Sequence, residues 1–182
     1  MPIASAVLSL DDAVKVASGA LKAGRDNRLN PLTVVVLDSG GKLKFFAKED
    51  GSSLLRREIA TGKAYGALGL HMDSADVNKI ADARPLFATS LFSIAEGGVV
   101  PVPGGVIIHS SDGKTVLGAV GISGDLSVKD EACAVAGIVS AGLQCKHSLE
   151  GSKSVLTAHD QRAVNAAARN AASAWRFSPS KL

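Results

Sequence analysis

Aromatic residues are scarce in this sequence, and their scarcity limits the ligands that the protein can hold. Phe, Trp and Tyr together make up 4% of the 182 residues. Proteins that bind single-stranded nucleic acid stack bases on aromatic rings. The composition therefore argues against that class of function.

Cysteines and long apolar runs are also few. Cys133 and Cys145 lie about 18 Å apart along a continuous helix, too far for a disulfide. There is no Cys pair with the spacing of a metal site, and no apolar run reaches the roughly 18 residues of a membrane span. The first ten residues lack the charged segment of a secretory signal. We therefore expect a cytoplasmic protein with no membrane partner.

The excess of basic over acidic residues is confined to the end of the chain. Lys and Arg number 14 against 15 Asp and Glu in residues 1–145, and 6 against 2 in residues 146–182. A nucleic-acid-binding domain needs a basic face on its folded core. The charge pattern therefore predicts that nucleic acid is not a partner.

Small and aliphatic residues are abundant in the sequence, and their pattern is most regular in residues 99–142. Two β-branched runs, residues 106–108 and 116–122, flank an Asp112-Gly113 turn, which predicts a hairpin. Gly118 and Gly121 interrupt the second run, and glycine in a strand marks a bulge or the close approach of a backbone or ligand. A capping box from Ser127 to Asp130 then predicts a helix with Ser127 as its N-cap.

These motifs resemble the GlcG/HbpS-like family of small haem-binding and haem-degrading proteins, which includes the C-terminal domain of PduO-type proteins. The resemblance covers roughly Leu10 to Leu143 and rests on a set of short motifs: Val36-Leu-Asp-Ser-Gly-Gly41, Lys63-Ala64, Pro103-Gly-Gly-Val106, and Gly118-Ala-Val-Gly-Ile-Ser-Gly124 followed by Asp130-Glu131. It implies a small-molecule-binding protein, with haem as the leading cofactor and haem breakdown as an accompanying activity. Some members of the family are exported, so a removed export signal is compatible with the chain.

The rest of the chain is read from caps and periodicity. Ser9 caps a first helix, and residues 33–37 and 42–47 form a first hairpin. Residues 54–70 predict a helix whose glycines 62, 66 and 69 share one face, on which a helix, the sheet or a flat ligand packs closely. Asp73 caps a short helix, and Pro85 opens another that runs to about Ala95. Thr157 caps an Ala-rich helix that ends near Trp175.

The predicted site is a pocket made largely of backbone. The corner Pro103-Gly104-Gly105 is expected beside Ser123 and Gly124, where amides at the start of a helix suit an anion. Lys63 matches a lysine of the family's corresponding helix and would hold a carboxylate or a haem propionate, or form a surface salt bridge. Asp130, already used as a cap, and Glu131 are candidate acids or bases near this pocket.

Three further side chains are candidates. Haem needs an axial ligand, and His71, at the end of the glycine-rich helix, is the best-placed metal ligand; a helix C-terminal dipole partner is the plainer interpretation. His109, His147 and His159 are expected at the surface. Asp38 is a ligand group or a turn former, and Phe87 is a core residue first and a pocket wall second.

Together these features predict one folding unit: a GlcG/HbpS-like domain over residues 1–145, followed by a loop and an added Ala-rich helix over residues 146–182. The fold class is α/β, an antiparallel sheet of about five strands with packed helices in a profilin- or PAS-like sandwich, which assembles into a homo-oligomer. Haem or a related tetrapyrrole is the expected ligand, although few aromatics argue against a deep haem pocket. Two alternatives stay open: a haem-independent isomerase, dehydratase or cyclase using Lys63 and Asp130 on a small carboxylate or carbonyl substrate, and a structural assembly module.

Overall fold

The computed structural model describes residues 7–147, 153 and 155–157. The described part contains four strands and five helices with defined ends. They are α1 (Leu10–Asp26), β1 (Thr33–Asp38), β2 (Leu43–Lys48), α2 (Arg56–Leu70), α3 (Ser74–Ala83), α4 (Pro85–Ile94), β3 (Gly105–His109), β4 (Val116–Ser123) and α5 (Ser127–Ser140). The predicted α/β class is confirmed.

The sheet is antiparallel and has the order β2-β1-β4-β3. Both predicted hairpins form, and β1 pairs with β4 to join them. The number of strands is four in the described part, not about five, because the chain between β2 and β3 forms three helices and their connecting loops. The one further pairing in the described residues is a single bridge between His109 and Gln144. The expected profilin- or PAS-like arrangement is not confirmed.

Helices cover both faces of the sheet, because both faces of its strands are apolar. Val34 and Val36 face a core shared with α1 and α5. Val35 and Leu37 face a second core shared with α2. Successive residues of a strand point to opposite faces, so this continuous aliphatic run supplies two cores at once.

Ser9 and Asp73 occupy their predicted N-cap positions, Asp73 without a side-chain cap bond, whereas Ser127 and Thr157 do not. Ser9 caps α1, and its hydroxyl accepts a hydrogen bond of 3.0 Å from the amide of Asp12. The predicted Ser127 cap is wrong: Leu126 is the N-cap of α5, with no side-chain cap bond. Asp130 instead accepts from the amide of Asp125, outside the helix. Its carboxylate closes the preceding turn and is buried.

Close packing explains two of the three glycines in α2. A Cβ added at Gly62 would lie 2.7 Å from the side chain of Val100, and one at Gly66 would lie 2.8 Å from that of Val99. The amide of Val100 also donates to the carbonyl of Gly62 at 3.2 Å. The segment before β3 therefore occupies this face of the helix. Gly69 has no such neighbour among the described residues.

Two boundaries differ from the sequence predictions. Residues 54 and 55 precede α2 as an exposed turn, so the helix starts at Arg56. Thr157 is not an N-cap, because residues 153, 155 and 156 are already helical. Its hydroxyl donates to the carbonyl of Lys153 one turn earlier. The rest of the predicted Ala-rich helix, with His159 and Trp175, lies outside the described residues.

Both cysteines are free thiols, as their spacing predicts. Cys133 is buried in α5, and Cys145 lies beyond the end of that helix. Among the helices that the structure describes, there is no stretch long and apolar enough to cross a membrane.

Gly121 is the position at which α2 and β4 approach most closely, which leads to a test. A Cβ at Gly121 would collide with the carbonyl oxygen of Ala60 and lie 3.0 Å from the amide nitrogen of Ala64. Because backbone on both sides cannot yield, we expect Gly121→Ala to lower the free energy of unfolding by about 2–3 kcal/mol. Urea denaturation measures it.

Gly69→Ala is the matched control for this prediction. A Cβ there meets nothing within 4 Å among the described residues, and alanine favours a helix over glycine by about 1 kcal/mol. Its stability should stay level or rise slightly. Equal stabilities of the two variants would contradict the packing of α2 on β4.

Candidate functional site

Lys63 is a lysine whose charged end lies inside the protein. It projects from α2, and its side chain is 1% exposed. The Nζ atom donates to the carbonyl oxygen of Ile122 at 2.8 Å and to Oδ2 of Asp130 at 2.9 Å. The predicted surface salt bridge is therefore wrong, because the partner of Lys63 is on α5 and both side chains are buried.

Burial shifts the pKa values of both groups of this pair, and the charge of each partner opposes the shift of the other. Burial lowers the pKa of the Lys63 amine, and the charge of Asp130 opposes that shift. Burial likewise raises the pKa of the Asp130 carboxyl, and Lys63 opposes it. Removing both charges from water is costly, and the short contact together with the bond from Asp125 offsets only part of that cost.

The glycine corner before β3 gives this pair its space. Gly104 has a φ of 121°, and a Cβ on it would lie 2.8 Å from Nζ of Lys63 and 2.8 Å from the carbonyl oxygen of Ile122. The next amide, of Gly105, donates to the hydroxyl of Ser74 at 2.7 Å. The corner and the ion pair are thus in direct contact, with Pro103 beside them in sequence.

The carboxylate of Asp130 accepts from Lys63 and from the amide of Asp125, while the amide of Gly105 in the predicted anion pocket donates to Ser74. The sequence places Lys63, Asp130 and the Gly104-Gly105 corner together, and the structure does bring them together. All four residues are buried. Their roles in catalysis or ligand binding stay predictions.

Ser123 is the last residue of β4, and Gly124 follows it. The hydroxyl of Ser123 is fully buried and accepts a hydrogen bond of 3.1 Å from the guanidinium of Arg56. Gly124 packs instead against Leu32, whose Cα would lie 2.8 Å from an added Cβ. Arg56 was not predicted as a partner of Ser123, because nothing in the Arg56-Arg57 pair tells which of the two side chains faces the sheet.

His71, Asp38 and Phe87 lie outside this buried group. His71 is the exposed C-cap of α2, in a left-handed conformation. Oδ1 of Asp38 accepts from the amides of Gly40 at 2.9 Å and Lys42 at 3.0 Å, which is the geometry of a turn former. Phe87 is 43% exposed, so its assignment to the core is wrong.

A second group joins the buried Asp73 to the partly buried Glu131 and His147, and the sequence did not predict that these three side chains meet. Oδ1 of Asp73 accepts from the amide of Ile107 at 2.8 Å, and Oδ2 lies 3.1 Å from Nε2 of His147. The same imidazole nitrogen is 3.8 Å from Oε1 of Glu131. The surface assignment of His147 is therefore wrong. His109, also expected in solvent, is half-buried, and that burial lowers its pKa.

The buried ion pair generates a stability prediction. Removing one partner of a buried pair leaves an uncompensated charge and costs about 3–5 kcal/mol. We expect Lys63→Met to lower the free energy of unfolding by about that amount in urea denaturation.

Lys79→Met is the matched control, since Lys79 pairs with Asp76 at 2.7 Å but is 72% exposed. An exposed pair is worth at most about 1 kcal/mol. If the two lysine variants lose similar stability, the Lys63–Asp130 pair is not a structural element of the fold.

The family model described as "Haem degrading protein HbpS-like" matches residues 8–139. That range contains every strand and helices α1 to α4, and all but the last residue of α5. There is no curated protein that matches the chain significantly.

Solved structures share the fold. The protein in the crystal structure of a PduOC–haem complex has 23% sequence identity to this chain. The TM-score is 0.67, and the match covers 76% of this chain and 97% of that one. HbpS, in its crystal structure, has 25% sequence identity to this chain, with a TM-score of 0.64 over 74% of this chain and 90% of that one. The ORFY protein of Klebsiella pneumoniae is 20% identical, with a TM-score of 0.66 over 73% and 89%. These likenesses show the fold alone, because one fold can serve many unrelated functions.

Proposed function

This chain belongs to the HbpS-like family, and from that membership we propose that it binds haem or a related tetrapyrrole, with His71 as the axial ligand. The match of the family model over residues 8–139 is the observation that carries the proposal. That match includes His71, the helix α2 that ends at it and the helix α3 that follows it.

His71 is suited to binding iron by its position. It ends α2 with a φ of 52°, and its side chain is exposed. An exposed imidazole is available to a ligand without displacing an internal partner, and histidine is a common axial ligand of haem. The other candidate groups, Lys63 and Asp130, are buried and bonded to each other.

Helix α4 offers an apolar surface for a planar ligand. Leu86, Phe87 and Ile94 are 82%, 43% and 76% exposed. An exposed apolar patch on a folded protein often marks a site of interaction with a ligand or another molecule. The guanidinium carbon of Arg84 lies 4.5 Å from the centre of the Phe87 ring. A carboxylate such as a haem propionate could pair with that cation.

This surface fits the scarcity of aromatics better than an enclosed pocket does. Bound haem would supply an iron centre able to exchange electrons and react with oxygen, which is the chemistry that haem breakdown requires. We propose breakdown as the accompanying activity. Loss of haem absorbance with a reductant in air, faster than that of haem alone, is the measurement that supports it.

Titration with hemin tests the proposal directly. We expect a saturable, shifted Soret band near one haem per chain, and in His71→Ala an affinity at least about tenfold lower, since one strong ligand bond is lost. His159→Ala serves as the histidine control. A spectrum identical to that of free hemin, or equal affinity in His71→Ala, would contradict this assignment.

The apolar surface has its own test. Leu86→Glu places a charge on α4 where a haem face would lie, and we expect an affinity for hemin at least about tenfold lower with unchanged thermal stability, because a charge opposite an apolar ring is desolvated without a partner. Leu54→Glu is the matched control, because Leu54 is also 82% exposed but precedes α2. Equal effects of the two variants would move the site away from α4.

A second candidate function rests on one observation. Lys63 and Asp130 form an acid–base pair 2.9 Å apart, which suits an isomerase, dehydratase or cyclase acting on a small carboxylate or carbonyl compound without haem. Both side chains are 1% exposed, so a substrate would reach them only after local opening. Turnover without haem that is abolished in Asp130→Asn would favour this function over the first.

A further inference from the structure

Residues 143–147, which we call the strap, leave α5 and cross the outer edge of β3. Gln144 and His109 exchange backbone hydrogen bonds of 2.8 and 3.2 Å. The side-chain amide of Gln144 donates to the carbonyl of Ser111 at 2.6 Å. Leu143 and Cys145 pack against the core shared with α1 and α5. The first part of the strap is therefore held by the sheet and the core.

The last residue of the strap is held by charge instead. Nε2 of His147 lies 3.1 Å from Oδ2 of Asp73 and 3.8 Å from Oε1 of Glu131. These two oxygens are buried and accept no well-aligned hydrogen bond from the described residues. Two carboxyl groups thus converge on one imidazole, and the protons carried by Glu131 and His147 decide whether the contact is attractive.

We propose that Glu131 and His147 form a pH-sensitive latch that holds the strap on α3 and α5 at acidic to neutral pH and releases it as the pH rises. When Glu131 is neutral and the imidazole is charged, one positive charge faces the carboxylate of Asp73. When both have lost their protons, buried carboxylates face each other without a cation between them.

The direction follows from how the closed strap changes proton affinity. Burial raises the pKa of Glu131 from 4.5 to about 7, against the opposing charge of His147. Burial acts to lower the pKa of His147, but Asp73 and Glu131 outweigh it and the net shift is upward. Both groups hold their protons more tightly when closed. Closure is therefore favoured below their open-state pKa values and weakens as the pH passes about 7.

Other charged and titratable groups surround the latch, and each belongs to an element packed against it. They are Asp73 and Asp76 on α3, Lys63 on α2, His109 on β3, and Cys145 and Lys146 on the strap itself. Burial raises the pKa of Cys145 to about 12, so its thiol stays neutral through the transition. Release would also uncover the backbone groups of His109 at the edge of β3, which then need new partners.

Native-state hydrogen exchange of the whole chain tests the latch. The amides of Gln144 and His109 each donate to the carbonyl of the other, between the strap and β3. Their protection factors therefore report the opening of the strap. Between about pH 6 and about pH 8.5 we expect these protection factors to fall about tenfold because of the raised pKa of Glu131 alone. The amide of Val36, inside the sheet, should not change. Equal protection of Gln144 at both pH values overturns the proposal.

Variants separate the latch from a general effect of pH. Glu131→Gln keeps the shape of the side chain but cannot ionise, so the pH dependence of Gln144 protection should shrink severalfold. His147→Gln removes the cation, and protection should be low at both pH values. Glu96→Gln, an exposed carboxyl outside the latch, is the control and should match the parent protein. An unchanged pH profile in both Glu131→Gln and His147→Gln would overturn the proposal.

Discussion

The contact between Lys63 and Asp130 is the interaction on which the middle of this fold depends. Lys63 belongs to the helix on one face of the sheet and Asp130 to a helix on the other, and their contact of 2.9 Å joins the two layers at the end of β4. A buried pair stabilises little relative to apolar residues of the same size, but breaking it is costly. It therefore acts chiefly as a constraint on how α2, α5 and the Gly104 corner sit together.

Small residues make that constraint possible. Gly104 leaves room for the ammonium group, Gly121 lets the backbone of α2 approach β4, and Gly137 lets α1 lie against α5. The interior of the described domain is consequently tight and aliphatic. His71 and the apolar residues of α4 are exposed outside this interior, and the strap lies along β3 at the edge of the sheet.

Much of the fold could be predicted from the sequence, because its signals are local. The Ser9 cap, the two hairpins, the Pro85 start of α4 and the close approach at Gly121 each follow from a few neighbouring residues. Part of the site was also predictable, since the resemblance and the glycine corner point to Lys63 and Asp130. What could not be predicted is that these groups satisfy each other, because residues 63 and 130 come from different elements.

By itself, the sequence determined the α/β class, most helix and strand positions, and the family, since periodicity, caps and motifs are written in consecutive residues. Only the tertiary structure decided which polar groups are buried. It placed His147 between Asp73 and Glu131, turned Arg56 towards Ser123, and left Phe87 on an exposed helix. The physical reason is that burial and charge pairing depend on distances between elements far apart in the chain, and a local pattern carries no information about those distances.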